Sequence, residues 1–215
     1  MVELYINGQL VDVKIEDEET IGDVLQSFEM TCEQNDAAVI GITVDGKQIT
    51  AEIFDQEAEK ELGENTKFEF AVVTKNDIKA SFKKLAELFN ELSLQMEQVP
   101  VELQNGKNKE VSLSIKQLAD NIDQFCHVAT LATLFPETFK TPEIGGMTFD
   151  DFFKDFAPIL KDFEDALQNN DSVMIGDLSE YEICPRLQSI SDALLLTDYK
   201  HLITNTINRN ITRFA

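Results

Sequence analysis

Val2-Glu3-Leu4-Tyr5-Ile6-Asn7-Gly8-Gln9-Leu10-Val11-Asp12-Val13-Lys14-Ile15 decides the fold of the first part of this chain. Val2, Leu4 and Ile6 alternate with Glu3, Tyr5 and Asn7, and Val11, Val13 and Ile15 alternate with Asp12 and Lys14. A period of two gives each strand one buried face. Asn7-Gly8 between them is the dipeptide that most readily takes the positive φ angles of a type I′ turn, so residues 1–15 read as a hairpin. Thr20-Ile21-Gly22-Asp23 then reads as a capping box, and Ile21, Val24, Leu25 and Phe28 form the apolar stripe of a helix lying across the sheet. The acidic run from Glu16 to Glu19 precedes or opens this helix, where the dipole favours negative charge. It reads as a cap and a solvated loop, since a metal site needs convergent ligands at fixed spacing.

Val39 to Val44 predicts a third strand and Asp45-Gly46 a second tight turn. Phe68, Phe70 and Val72, alternating with Glu69 and Ala71, predict a closing strand. This order resembles the ubiquitin-like β-grasp superfamily over residues 1–75. The carriers are Thr20-Ile21 opening the helix, the Gly46-Lys47-Gln48-Ile49 turn and the Thr66 to Val73 strand. The resemblance implies a β-grasp scaffold and raises the expectation of a binding protein, without naming a partner. Two departures limit it. Modifier proteins of the superfamily end in Gly-Gly, whereas here Val73 runs into Thr74-Lys75-Asn76-Asp77 and a long further chain, so conjugation is not implied. The positions matching ubiquitin's apolar surface patch read Thr43, Glu69 and Ala71, so receptors of that patch are not implied either.

The 215 residues are 43% hydrophobic, enough for real cores, and carry a net charge of -22. Such a charge repels polyphosphate backbones and anionic membrane surfaces, so neither nucleic acid nor membrane is an expected partner. Acidity is densest in the first 75 residues, with 18 acids against 5 bases, and a basic partner protein would be steered toward it. Cys32, Cys126 and Cys184 are odd in number and include no CxxC pair, which argues against a disulfide framework or a zinc site. Met1-Val2-Glu3-Leu4-Tyr5 lacks a basic region followed by an apolar run, and no stretch approaches the ~18 apolar residues of a membrane span. The expected location is the cytoplasm.

Past Lys75-Asn76-Asp77, read as a junction with a helix cap, the pattern turns helical. Ile78, Phe82, Leu85, Phe89, Leu92, Met96 and Val99 follow a strict 4-3 spacing, one seam of a long helix that Pro100 is expected to help stop. Asn105-Gly106-Lys107-Asn108 reads as a turn, with a small hairpin across Val99 to Leu113 as one option. Ser114-Ile115-Lys116-Gln117 reads as the start of a second helix through Ile115, Leu118, Ile122, Phe125 and Ala129, ending by Pro136. Thr148-Phe149-Asp150-Asp151 caps a third, with Phe149, Phe152, Phe153, Phe156, Leu160, Phe163 and Leu167 on one face, broken by Asn169-Asn170-Asp171. A fourth segment from Ser172 to Thr197 is kinked or split at Pro185, and Tyr199 to Phe214 makes a last helix. The fold class is α+β: a β-grasp domain over 1–75, then an antiparallel bundle of four or five helices over 76–215.

No catalytic signature stands out. A di-metal carboxylate site needs Glu-x-x-His on two helices; the chain offers only Asp198-x-x-His201 and Asp123 with His127, and Glu87, Glu91 and Asp120 are expected to face water. Cys126 and His127 are neighbours that point about 100° apart on a helix, so they form no nucleophile pair, and Cys126 and Cys184 read as small buried apolar groups. No cofactor is expected. In the fourth segment, Leu194, Ile190 and Leu187 carried back by 4-3 steps pass through Ile183, Glu180, Gly176 and Val173, which puts Glu180 on the seam, where it would be costly without a partner. Glu180 or Glu182, with Tyr181 or Arg186 beside it, is therefore the candidate partner groove. Phe152 and Phe153 form a second candidate docking face, although aromatic residues at helical spacing more often belong to a core.

The stretch Asp171 to Ile190, with Gly176-Asp177-Leu178 and Glu180-Tyr181-Glu182, resembles segments of uncharacterised bacterial proteins and brings no function with it. The basic stretch from Lys200 onward reads as docked on the acidic bundle or as a detachable tail. The functional expectation is a non-enzymatic adaptor or chaperone-like module of a bacterial cytoplasm that holds another protein. A secretion or flagellar-export chaperone is a narrower version, and a carboxylate-bridged metal enzyme in the bundle is the alternative from another class.

Overall fold

The computed structural model describes residues 2–15, 17–139 and 143–196. The chain divides into two compact units, Met1–Ile78 and Lys79–Ala215.

The first unit holds β1 (Glu3–Ile6), β2 (Gln9–Val11), α1 (Ile21–Gln34), β3 (Ala37–Val44), β4 (Lys47–Gln48), α2 (Phe54–Ala58) and β5 (Lys67–Thr74). The five strands form one sheet in the order β2-β1-β5-β3-β4, parallel only between β1 and β5. Both tight turns take the expected form: φ is 49° and 80° at Asn7 and Gly8, and 49° and 78° at Asp45 and Gly46. Asn7 does more than turn the chain. Its side chain donates to the Val72 carbonyl at 3.0 Å and accepts from the Val72 N–H at 2.9 Å, which ties the hairpin to the end of β5.

Thr20 caps α1 as predicted, with Asp23 closing the box. The helix then buries Ile21, Val24 and Leu25 against Leu4, Val44, Ile49, Phe68 and Phe70. Phe28 stacks on Phe70 with ring centroids 3.8 Å apart. The fully buried Phe68 and Phe70 each contribute about 2–3 kcal/mol by area. The predicted second strand is cut short. β2 ends at Val11, because its one neighbour, β1, is four residues long, and Val13 stands exposed beyond it.

β5 passes without a linker into α3 (Lys75–Gln104), and Thr74 with Asp77 supplies the cap expected one residue later. All seven predicted seam residues of α3 are buried. Pro100, however, does not stop the helix, and no hairpin follows. The stop is Gly106, with φ 72°: its N–H bonds the Leu103 carbonyl and the Lys107 N–H bonds the Glu102 carbonyl, the paired bonds of a Schellman ending. α4 (Asn108–Ala132) therefore begins a turn and a half before Ser114, which lies inside it on the buried side with Val111, Leu118, Phe125, Val128 and Ala132.

α5 (Phe149–Gln168) is capped by Thr148 and Asp151 as predicted. It ends at Asn170 with φ 53°, whose neighbour Asp171 at once caps α6 (Ser172–Asp177) by accepting from the Met174 N–H at 3.0 Å. The fourth segment is neither simply kinked nor split at Pro185. It widens into a π-helical turn (Leu178–Ile183) just before the proline, and residues 184–196 return to α-helix, here called α7. The last predicted helix, Tyr199 to Phe214, lies outside the described residues.

Candidate partner-binding surface

α3 and the run α6, π turn, α7 lie antiparallel in one register. Ser191 donates to the Ala86 carbonyl at 2.8 Å, Ser93 donates to the Gln188 amide oxygen at 3.3 Å, and Gly176 meets Pro100. A Cβ on Gly176 would stand 3.3 Å from Pro100 Cβ, so any larger residue here would have to push the proline ring back by a few tenths of an ångström. Glu97 and Cys184 fall between these pairs. Burial first, then the charges of Glu97 and Glu180, push the Cys184 thiol above its ordinary range.

The π turn changes which residue points inward. The seam predicted Glu180; the structure buries Ser179 instead, at 0% exposure, where its hydroxyl donates to the Ile175 carbonyl at 2.7 Å. A π turn carries one more residue per turn than the α pattern assumes, so the carboxylate is shifted off the seam and only half-buried. That removes the desolvation cost which made Glu180 suspicious, and leaves its carboxylate available at the surface. Tyr181 beside it is 65% exposed. The charge of Glu180, and its acceptance of a hydrogen bond from the phenol, raise the Tyr181 pKa above its ordinary value.

Glu182 and Arg186 do meet, and a third residue joins them. Arg186 donates to the Glu182 carboxylate at 2.7 Å and to the Asp155 carboxylate of α5 at 2.7 and 3.2 Å, with its guanidinium over the Phe156 ring. Burial lowers the guanidinium's pKa, and these bonds outweigh it, so Arg186 stays charged. The network is a clamp between α5 and the π turn. The ion pairs among the described residues of the second unit use Lys154, Lys161 and Arg186 with Asp151, Asp165, Asp155 and Glu182. Glu97, Asp177 and Glu180 take part in none of them.

Phe152 and Phe153 are not a docking face. Phe152 is fully buried, and Phe153 is half-buried within a ring cluster with Phe125, Phe149 and Phe152. Cys126 is corrected the other way: it lies on the exposed side of α4, one residue off the inward-facing Phe125. Asp123, His127, Glu87, Glu91 and Asp120 are at the surface, and Asp198 and His201 lie outside the described residues. Among the described residues, no three His, Cys, Asp or Glu side chains converge in a way that could hold a metal, and no helix is long and apolar enough to cross a membrane.

Sequence reasoning missed Asp155 and Glu97, which come from other helices, and Ser179, whose burial depends on the π turn. Pro100 and Gly176 lie 76 positions apart in the sequence, and only folding pairs them.

Residues 2–74 match the family described as TP0873 N-terminal domain, and residues 80–193 match the family described as Domain of unknown function (DUF8042). A protein of Treponema pallidum (strain Nichols), described as an uncharacterized protein, is 24% identical over 197 residues, covering 92% of this chain and 98% of that protein. No solved structure matches.

Proposed function

The chain belongs to the family described as Domain of unknown function (DUF8042), and from that premise we propose that it is a non-enzymatic interaction module, an adaptor or chaperone-like protein that holds another protein in the cytoplasm. The observation that carries this reading is Tyr181, an aromatic side chain standing 65% exposed on a π-helical turn beside Glu180, a carboxylate with no ion-pair partner among the described residues. π turns are rare and cluster at functional sites. Exposed tyrosines recur as anchors of protein interfaces because they offer a large apolar area with a polar tip.

In the same reading the first unit is a ubiquitin-like β-grasp used as a scaffold. Its strand order, with β1 and β5 parallel at the centre and α1 across one face, supports that assignment. Thr43, Glu69 and Ala71 do not reproduce ubiquitin's apolar patch, and Glu69 is engaged by Lys67.

The test is quantitative affinity purification of the tagged full chain from its native cells, comparing wild type with Tyr181→Ala and Glu180→Gln. Specific partners recovered with wild type should be depleted by about tenfold with Tyr181→Ala, the scale of a tyrosine anchor at an interface. Unchanged recovery with both variants overturns the reading.

A further inference from the structure

The surface around Tyr181 has more character than exposure alone. Val173 is 71% exposed, Met174 41% and Tyr181 65%. Val173, Asp177 and Tyr181 are all exposed: 173 and 177 lie one α turn apart on α6, and Tyr181 follows on the wider π turn, so the three run along the solvent side of this segment. Soluble chains seldom cluster large exposed apolar side chains without a use for them. Between Asp171 and Ile183 the sequence holds four acids, Asp171, Asp177, Glu180 and Glu182, and no base. Of these four, only Glu182 is paired with Arg186; among the described residues, Asp177 and Glu180 on this face and Glu97 on the neighbouring stretch of α3 have no ion-pair partner.

From this juxtaposition, and resting on the interaction reading above, we infer that the face carrying Val173, Asp177, Glu180 and Tyr181 binds a basic amphipathic helix of a partner protein. An apolar stripe flanked by lysine or arginine matches both features of the face at once: its side chains cover Val173 and Tyr181 while its cations sit against Asp177, Glu180 and Glu97. A purely cationic segment would leave the apolar side chains wet, and an acidic amphipathic one would meet three carboxylates. Nucleic acid fails for the latter reason, as do anionic lipid surfaces.

The experiment measures fluorescence anisotropy of labelled synthetic peptides of about five helical turns binding to the full-length protein. One peptide is a Lys/Leu amphipathic helix, one has the same residues scrambled to abolish the stripe, and one replaces Lys by Glu. The Lys/Leu helix should bind at least about tenfold more tightly than the scrambled peptide, and the Glu/Leu peptide should not bind. Tyr181→Ala and Glu180→Gln should each weaken the Lys/Leu peptide by about tenfold, and raising salt should weaken it further. Leu113→Ala, another exposed apolar site on α4, should leave it unchanged. Tyr181 and Glu180 are not core residues, so unchanged circular dichroism identifies a loss of binding as local. Equal binding of ordered and scrambled peptides, or indifference to Tyr181→Ala, overturns the inference. If no peptide binds while partner recovery from cells still depends on Tyr181, the ligand class falls and the interaction reading stands. If neither depends on Tyr181, both fall.

Discussion

Glu57 sits in α2 with its side chain almost wholly buried, yet it is charged, because Lys47 and Lys60 each place an ammonium 2.7 Å from its carboxylate. The hydrogen bond from Lys47 first, then that from Lys60, hold its pKa below the ordinary 4.5. A carboxyl whose pKa is lowered by folding stabilises the fold at every pH above its unfolded value and loses that contribution as pH falls through its folded value. Glu57→Gln should therefore be less stable than wild type at neutral pH. The gap should narrow as pH falls below 4.5, which urea unfolding at a series of pH values measures directly. A gap that is constant across that range contradicts the ion-pair account. Much at this scale was legible: Thr20 and Asp23, Asn7-Gly8 and Thr148 with Asp151 all cap or turn where their side-chain chemistry says they should. What escaped was partnership across distance. Asp155 reaches Arg186 from 31 residues away, and nothing local marks it.

At the scale of elements, the heptad spacing of α3 foretold its seven buried residues, because a long helix with one apolar stripe has few ways to hide it. The same logic failed at both its boundary and its partner. Pro100 forfeits one backbone bond, which a helix can bear when its seam is buried up to Val99 and glycine at Gly106 offers a better stop. The π turn escaped because a 3.6-residue period cannot register an inserted residue; burial of Ser179 in place of Glu180 is its consequence. Gly176 links the two irregularities. Gly176→Ala gains roughly 1 kcal/mol of helix propensity but drives a methyl against the proline ring, where overpacking costs about 1–3 kcal/mol. The variant should be less stable than wild type, by about 1 kcal/mol in chemical denaturation, and Pro100→Ala in the same chain should relieve part of the loss. A stabilised Gly176→Ala would contradict the overpacking account, showing that the helix-propensity gain outweighs the contact with Pro100.

On the scale of the whole molecule, length and composition allowed two modest domains or one large one, and the α+β division was legible in the change of period after residue 74. Composition could not say where an acidic chain concentrates its recognition, since nearly every exposed face carries carboxylates. The proposed recognition face is the π turn, where exposed Val173 and Tyr181 stand near acids that have no ion-pair partner among the described residues. The most direct test of that claim is hydrogen exchange of the full chain, alone and with a partner recovered by affinity purification. Slower exchange on binding should localise to residues 171–186 and to the facing stretch of α3 from 97 to 101. Protection confined to the first unit, or to α4 and α5 alone, would contradict it.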